Sequence, residues 1–144
     1  AVSQLAPNAQ LLVWARNKET RAELIAFAKQ LGLKAKAVRR LKQAATVANL
    51  TIATLPSGAL DGAVAGLNKF GGFKPRGAVL DVAYKPWPSS FASAWQANGR
   101  PIISGVEMLL WQAVAQIRIF TTGDPNNQLP NEAAVVEAMR HALN

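Results

Sequence analysis

Tyr84, which follows a short apolar run, is a candidate residue for binding a small molecule. Residues 79–83 are almost entirely apolar, and Tyr84, Lys85 and Pro86 come directly after them. The run predicts a buried parallel strand. Because ligands of open α/β sheets bind at the carboxyl ends of the strands, Tyr84 is expected at a binding edge.

A second stretch of the same kind lies about 20 residues further on. Ser104-Gly105 follows a short strand at Ile102-Ile103 and begins a helix, whose first free backbone N–H groups would face the same edge. Met108 and Gln112 are four residues apart and share one helix face. Core packing is the ordinary interpretation of such a face. The amide of Gln112, however, needs polar partners if it is buried, and a ligand could supply them.

Strands and helices alternate along the whole chain in the predicted pattern. Strands are predicted over residues 10–15, 34–38, 50–55, 78–83 and 101–103, and helices over 1–6, 20–31, 41–48, 59–67, 91–96, 106–120 and 131–143. This alternation indicates an α/β fold with a doubly wound, Rossmann-like parallel sheet. With 144 residues, of which 50% are hydrophobic, we expect residues 1–144 to form one domain.

The first long helix carries recognisable start and stop signals. Thr20 and Glu23 have the spacing of a capping box, and Gly32 is placed to end the helix. Leu24, Phe27 and Leu31 repeat at helical period, and Trp14 lies in the preceding strand; we expect Phe27 and Trp14 in the core.

Composition excludes several kinds of site. The chain has no cysteine and a single histidine, His141 near its end, so we expect neither a metal site nor histidine or thiol catalysis. It has neither a long apolar segment nor a signal-like N-terminus, which predicts a cytoplasmic protein without membrane contact. The net charge of +8 favours an acidic partner. Because aromatic residues are not interleaved with the basic ones, an anionic small molecule is favoured over nucleic acid.

The two stretches described first resemble the cofactor-binding domain of the shikimate dehydrogenase family. That family has the pattern D-x-x-Y-x-P-x-x-T-P-L followed by G-x-x-M-L-x-x-Q-A. Here the first pattern is matched by Asp81, Tyr84 and Pro86, with Ser89 and Phe91 after them, and the second by 105–113. Order, spacing and structural context agree together, and the resemblance covers nearly the whole chain.

The resemblance implies that the loop after the strand at 10–15 selects the cofactor. Ala15-Arg16-Asn17 occupies the position of the family's Asn-Arg-Thr, so Arg16 would bind the 2′-phosphate of NADP, assisted by Asn17 and Lys18. A planar guanidinium offers paired donors to phosphate oxygens, and a basic residue at this strand end favours NADP over NAD. The alternative is that Arg16 and Lys18 are simply solvated loop charges.

The resemblance also implies roles for residues nearer the nicotinamide. Residues 51–58 match the family's N-x-T-x-x-G turn, although Ile52 stands where the family often has Asn, so cofactor contacts are expected from Thr54 and the backbone.

Five further positions have implied roles at the reaction end of the site. Val82, Gly105 and Met108 would lie against the nicotinamide. Tyr84 and Gln112 would bind the hydroxyls or the carboxylate of a shikimate-like substrate.

Two features of the family have no counterpart in this sequence. They are the first strand with its glycine-rich turn, which holds the pyrophosphate, and the N-terminal substrate domain with the catalytic Lys and Asp. We therefore assign no catalytic residue and expect this part alone to be inactive. A sheet without its central first strand should need another strand to fill the gap. We expect that strand to come from an upstream fragment or from a second copy of the chain in a homo-oligomer.

The function that the resemblance implies is NADPH-dependent reduction of 3-dehydroshikimate to shikimate by the full-length oxidoreductase, in aromatic amino acid biosynthesis. Three alternatives stay open. They are a quinate/shikimate dehydrogenase paralogue, a methylene-tetrahydrofolate dehydrogenase-like fold, and a noncatalytic basic α/β module that binds phosphate-rich partners.

Overall fold

The computed structural model describes residues 2–67 and 72–143, and Ala1 of the predicted first helix lies outside them. The strands are β1 (Gln10–Val13), β2 (Lys34–Ala37), β3 (Leu50–Ala53), β4 (Ala78–Asp81) and β5 (Ile102–Ser104). The helices are α1 (Val2–Leu5), α2 (Lys18–Gln30), α3 (Leu41–Ala45), α4 (Asp61–Leu67), α5 (Ser90–Gln96), α6 (Gly105–Thr122) and α7 (Glu132–Ala142). The predicted α/β fold is confirmed, with most strands ending earlier than predicted.

The strands are parallel and form two separate groups. One group has the order β2-β1, and the other has the order β3-β4-β5. A doubly wound sheet has the strand order 3-2-1-4-5-6. The two groups correspond in order to strands 3-2 and 4-5-6 of such a sheet, and none of the strands in residues 2–67 and 72–143 takes the place of strand 1 between them.

Helix α5 and strand β4 form the centre of the main hydrophobic core. Val79 of β4 and Trp95 of α5 are fully buried, and Trp95 packs against the rings of Phe73 and Phe91 at centroid distances of 4.9 and 4.6 Å. Trp14, which follows β1, packs against this same cluster, as its predicted core position requires. Strands β4 and β5 are thereby packed against α5.

Helix α2 differs from its prediction in both its start and its packing face. Asn17 caps the helix, because its Oδ1 accepts hydrogen bonds from the backbone N–H groups of Glu19 and Thr20 at 2.7 and 3.1 Å. The predicted cap at Thr20 is therefore wrong, since Thr20 already lies inside the helix. The predicted end at Gly32, which has a φ of 79°, is confirmed.

The expectation that Phe27 lies in the core is also wrong. Phe27 is 59% exposed, and Leu24 and Leu31 on the same stripe are exposed as well. Helix α2 packs against β1 and β2 with Ala28, which is buried. Because a two-stranded sheet is narrow, it covers only one face of α2 and leaves the neighbouring apolar stripe uncovered.

Over residues 2–67 and 72–143, none of the helices has the length and apolar character that crossing a bilayer requires.

Candidate functional site

A cleft opens where strands β3 and β4 end side by side. Ala53 pairs with Asp81 in the last register position, and the backbone N–H of Val82 donates to the carbonyl of Ala53 at 3.0 Å. Beyond this pair the two chains separate around a cleft of about 460 Å³. Its lining residues are Thr54, Leu55, Pro56, Ser57, Val82, Ala83, Tyr84 and Lys85.

The cleft brings together three of the predicted site residues. Thr54 lies on one wall, and Val82 and Tyr84 lie on the other. Tyr84 is 53% exposed, so its side chain is accessible to a ligand. A volume of this size is within the range of about 300–1,000 Å³ that is typical of small-molecule sites.

Gly105 joins helix α6 to the same region through a close backbone contact. A Cβ atom at this position would lie 2.1 Å from the carbonyl oxygen of Val82, a distance no side chain can occupy. The absence of a side chain at Gly105 is thus required by packing between α6 and the cleft wall, whatever the cleft binds.

Met108 and Gln112 lie further along α6 and do not line the cleft. Gln112 is seven residues from Gly105, which is about 10 Å along a helix axis. Met108 is half-buried and Gln112 is exposed. The Gln112 amide can therefore hydrogen-bond to water. The sequence-based argument that a buried amide would need a ligand does not apply to it. Its predicted substrate contact remains untested.

The predicted phosphate-binding residues lie at the end of β1. Arg16, Asn17 and Lys18 are all exposed. The Asn17 carboxamide oxygen is occupied by its bonds to α2, so this residue positions the helix start. The ion pairs in the described part of the chain join Arg118, Arg140 and their glutamates, and do not involve Arg16 or Lys18. Both cations are therefore open to an anion from solution.

Two residues that the sequence analysis did not assign to the site hold one wall of the cleft. The buried Asp81 accepts hydrogen bonds from the backbone N–H of Ala83 at 3.1 Å and from the hydroxyl of Ser89 at 2.6 Å. They bracket a loop, residues 82–88, in which the Lys85–Pro86 and Trp87–Pro88 peptide bonds are cis. The sequence signal that could have identified this contact is an acidic residue at the end of an apolar strand, Asp81, followed eight residues later by a helix-capping serine, Ser89.

The carboxylates with shifted pKa values, Glu107 and Glu132, do not line the cleft. Hydrogen bonds from the Arg140 guanidinium to Glu107, at 3.1 and 3.0 Å, lower the pKa of Glu107 below its ordinary value. Hydrogen bonds from Arg118 lower the pKa of Glu132 in the same way. Both pairs join α6 to the segment that carries α7, so these groups stabilise the fold as anions.

A search of residues 2–67 and 72–143 finds no cluster of three or more His, Cys, Asp or Glu side chains arranged to hold a metal ion.

Comparison with known proteins gives consistent results in sequence and in fold. No family model matches the sequence. A shikimate dehydrogenase (NADP(+)) from Thermus thermophilus is 29% identical over 143 residues, which cover 99% of this chain and 50% of that protein. A protein of the same name from Syntrophobacter fumaroxidans is 31% identical over 71 residues, or 49% of this chain and 24% of that protein.

The solved structures most useful for comparison are also shikimate dehydrogenases. The enzyme from Mycobacterium tuberculosis superposes with a TM-score of 0.74 at 28% identity, covering 94% of this chain and 47% of that one. The Thermus thermophilus enzyme in complex with NADP(H) and shikimate superposes with a TM-score of 0.61 at 28% identity, covering 91% of this chain and 45% of that one.

Two curated relatives match nearly all of this chain, and the chain spans about half the length of each. The relatives found by sequence and the structures found by fold are all named as shikimate dehydrogenases, and matches of both kinds extend over at least 91% of this chain. The predicted resemblance is therefore confirmed: this chain is similar, in sequence and in fold, to proteins named shikimate dehydrogenase.

Proposed function

We propose that this chain is the NADP-binding part of a shikimate dehydrogenase-like oxidoreductase that interconverts 3-dehydroshikimate and shikimate. The observation that carries the proposal is the cleft at the ends of β3 and β4, whose lining includes Thr54, Val82 and Tyr84. The similarity to enzymes named NADP(+)-dependent supports the choice of cofactor.

The residues present fit the two ends of such a cofactor. Arg16 and Lys18 are exposed and outside the described ion pairs, so they can bind a 2′-phosphate. Thr54 and Val82 line a cleft large enough for a planar ring, and the close backbone contact between Gly105 and Val82 packs α6 against one of its walls. When bound, the nicotinamide supplies hydride transfer. The chain's own residues bind and orient it.

The substrate would lie at the open side of the cleft. The Tyr84 hydroxyl is accessible there and can hydrogen-bond to a ring hydroxyl or a carboxylate. Gln112 would contribute an amide from α6. Glu107, held as an anion by Arg140, is not available as a proton donor near neutral pH.

The direct test uses the full-length protein that contains this chain. Oxidation of shikimate and of quinate should be followed by nucleotide absorbance, with NADP⁺ and NAD⁺ compared at equal concentrations. We expect turnover of shikimate with a preference for NADP⁺. A preference for quinate would favour the paralogue.

An absence of turnover with both acids would refute the proposed enzyme. Binding to random DNA that weakens with salt, together with no preference for NADPH, would instead favour a basic module for phosphate-rich partners.

A further inference from the structure

Two consecutive serines at the start of α5 bond to aspartates on both sides of the cleft. The Ser89 hydroxyl donates to Oδ2 of Asp81, the last residue of β4, at 2.6 Å. The Ser90 hydroxyl donates to Oδ1 of Asp61, the first residue of α4. Helix α4 follows the turn that forms the opposite wall. One helix end is therefore connected to both walls.

The Asp81 carboxylate closes the loop that carries Tyr84. Its Oδ1 accepts from the N–H of Ala83 at the beginning of the loop, and its Oδ2 accepts from Ser89 directly after the loop. Asp81 is 3% exposed and Ser89 is 7% exposed. Because water cannot compete for buried hydrogen bonds as it does at the surface, this connection holds both ends of the loop firmly.

Ser89 also connects the loop to a rigid part of the core. Its hydroxyl oxygen accepts from the N–H of Ala92 at 3.0 Å and so caps α5. The next turns of α5 bury Phe91 and Trp95 in the main core. The end of the loop at Ser89 cannot move away from the core without breaking the cap or the buried bond to Asp81.

We propose that Ser89 and Ser90 are positioning residues that fix the distance between the two walls of the cleft, with Ser89 the stronger of the two. Ser89 acts through the buried Asp81 on residues 82–88. Ser90 acts through Asp61 on the turn after β3, by a bond that is exposed to water and therefore weaker. The identity of the ligand between the walls rests on the proposed function, whereas the positioning of the walls does not.

The first measurement is hydrogen–deuterium exchange by mass spectrometry on the full-length protein. Ser89→Ala and Asp81→Ala should both speed exchange in residues 82–88, and Asp81→Ala does so with the Ser89 cap of α5 intact. Ser90→Ala should give a smaller increase, confined to the turn at 54–60. The matched control is Ser93→Ala on the same helix, because the Ser93 side chain contacts neither aspartate. It should resemble the wild type in both segments.

The second measurement is steady-state kinetics of the same variants. Ser89→Ala should lower kcat/KM for shikimate by up to about 100-fold, because small displacements of binding groups have effects of that size. Ser89→Thr, which keeps the hydroxyl, should restore most of the activity. Thermal unfolding of each variant shows whether it is folded at the assay temperature, and Ser89→Thr keeps the comparison valid if Ser89→Ala is not.

Two results would overturn this positioning role. One is exchange in residues 82–88 that is the same in Ser89→Ala, Asp81→Ala and Ser93→Ala. The other is faster exchange with unchanged kcat/KM, which would show that the wall position does not matter to the reaction. A wild-type protein without activity on shikimate or quinate would refute the proposed function, and the exchange pattern would still decide whether the serines hold the walls.

Discussion

At the scale of single residues, Arg16 carries the proposed choice of cofactor. Replacing Arg16 with Ala should remove a charge-assisted hydrogen bond of about 1.5–3 kcal/mol. In the full-length enzyme we expect KM for NADPH to rise far more than KM for NADH, because only the former has the 2′-phosphate. Arg100→Ala is a matched control, since Arg100 is an exposed arginine that precedes the N-terminal end of β5, whereas Arg16 follows the C-terminal end of β1. Equal weakening of both cofactors would contradict the role of Arg16.

Gly105 is a residue whose type is dictated by packing. Gly105→Ala would place a Cβ atom against the Val82 carbonyl, so α6 or the cleft wall must shift. We expect a loss of about 1–3 kcal/mol in the free energy of unfolding, measured by urea denaturation, together with reduced cofactor binding. Gly62→Ala in α4, where a Cβ atom has no neighbour within 4 Å, should be neutral or stabilising. Similar stability changes in the two variants would show that the close contact is not rigid.

Replacing Gln112 distinguishes a role in substrate binding from a role in stability. Because its side chain is exposed, Gln112→Ala should leave the melting temperature nearly unchanged. If the amide contacts substrate, kcat/KM for shikimate should fall while affinity for NADPH stays the same. The measurements are steady-state kinetics, cofactor titration and thermal unfolding. Unchanged kinetics would remove Gln112 from the proposed site.

At the scale of elements, an ion pair makes the contact between α6 and α7 sensitive to acid. Glu107 has a lowered pKa in the folded protein because Arg140 hydrogen-bonds to it. Its contribution to stability is therefore complete above the unfolded pKa of about 4.3 and is lost as the pH falls through the lower folded value. The stability difference between wild type and Glu107→Gln should be constant from pH 7 to 5 and should shrink in more acidic solution.

The matched control for this pH dependence is Glu137→Gln. Glu137 is 3.8 Å from Arg140 in an i, i+3 pair and is largely exposed, so its removal should leave the acid sensitivity of the wild type almost unchanged. Urea midpoints at a series of pH values provide the measurement. A difference between wild type and Glu107→Gln that persists unchanged to pH 3 would mean that the Arg140 contact does not stabilise the anion.

Elements were predicted well where a local signal was strong and less well where packing decided. The apolar run before Tyr84 correctly predicted a strand, and Gly32 correctly predicted the end of a helix, because both features depend on nearby residues. The start of α2 was misplaced, since Asn17 and Thr20 are both good capping residues and only the backbone path selects between them. The Ser89–Asp81 bond spans a loop, and no helical or strand periodicity reports such a contact.

At the scale of the whole molecule, the decisive feature is the separation between the two groups of strands. The carbonyl of Val13 accepts a hydrogen bond from the N–H of Val38, and the carbonyl of Ala53 accepts one from the N–H of Val82. Each bond lies within one group of strands. Since successive residues of a strand direct their backbone groups to alternate sides, Leu12 and Ile52 direct theirs away from those partners. These free edges, on β1 and β3, have no strand partner among the described residues. The sequence predicted this missing centre because the family resemblance supplied the strand order, and hydrophobic periodicity alone could not have done so.

The last prediction concerns these 144 residues when they are produced alone. The open edge of β3 is apolar and accessible, since Leu50 is 49% and Ile52 is 43% exposed. Free apolar edges pair with other chains. We therefore expect a dimer or larger species in light scattering and solution X-ray scattering. Ile52→Pro, which removes a donor from the β3 edge without affecting the bonds to β4, should reduce this association. A stable wild-type monomer of 15.4 kDa would contradict the prediction and would mean that β1 and β3 close into one sheet without a further strand.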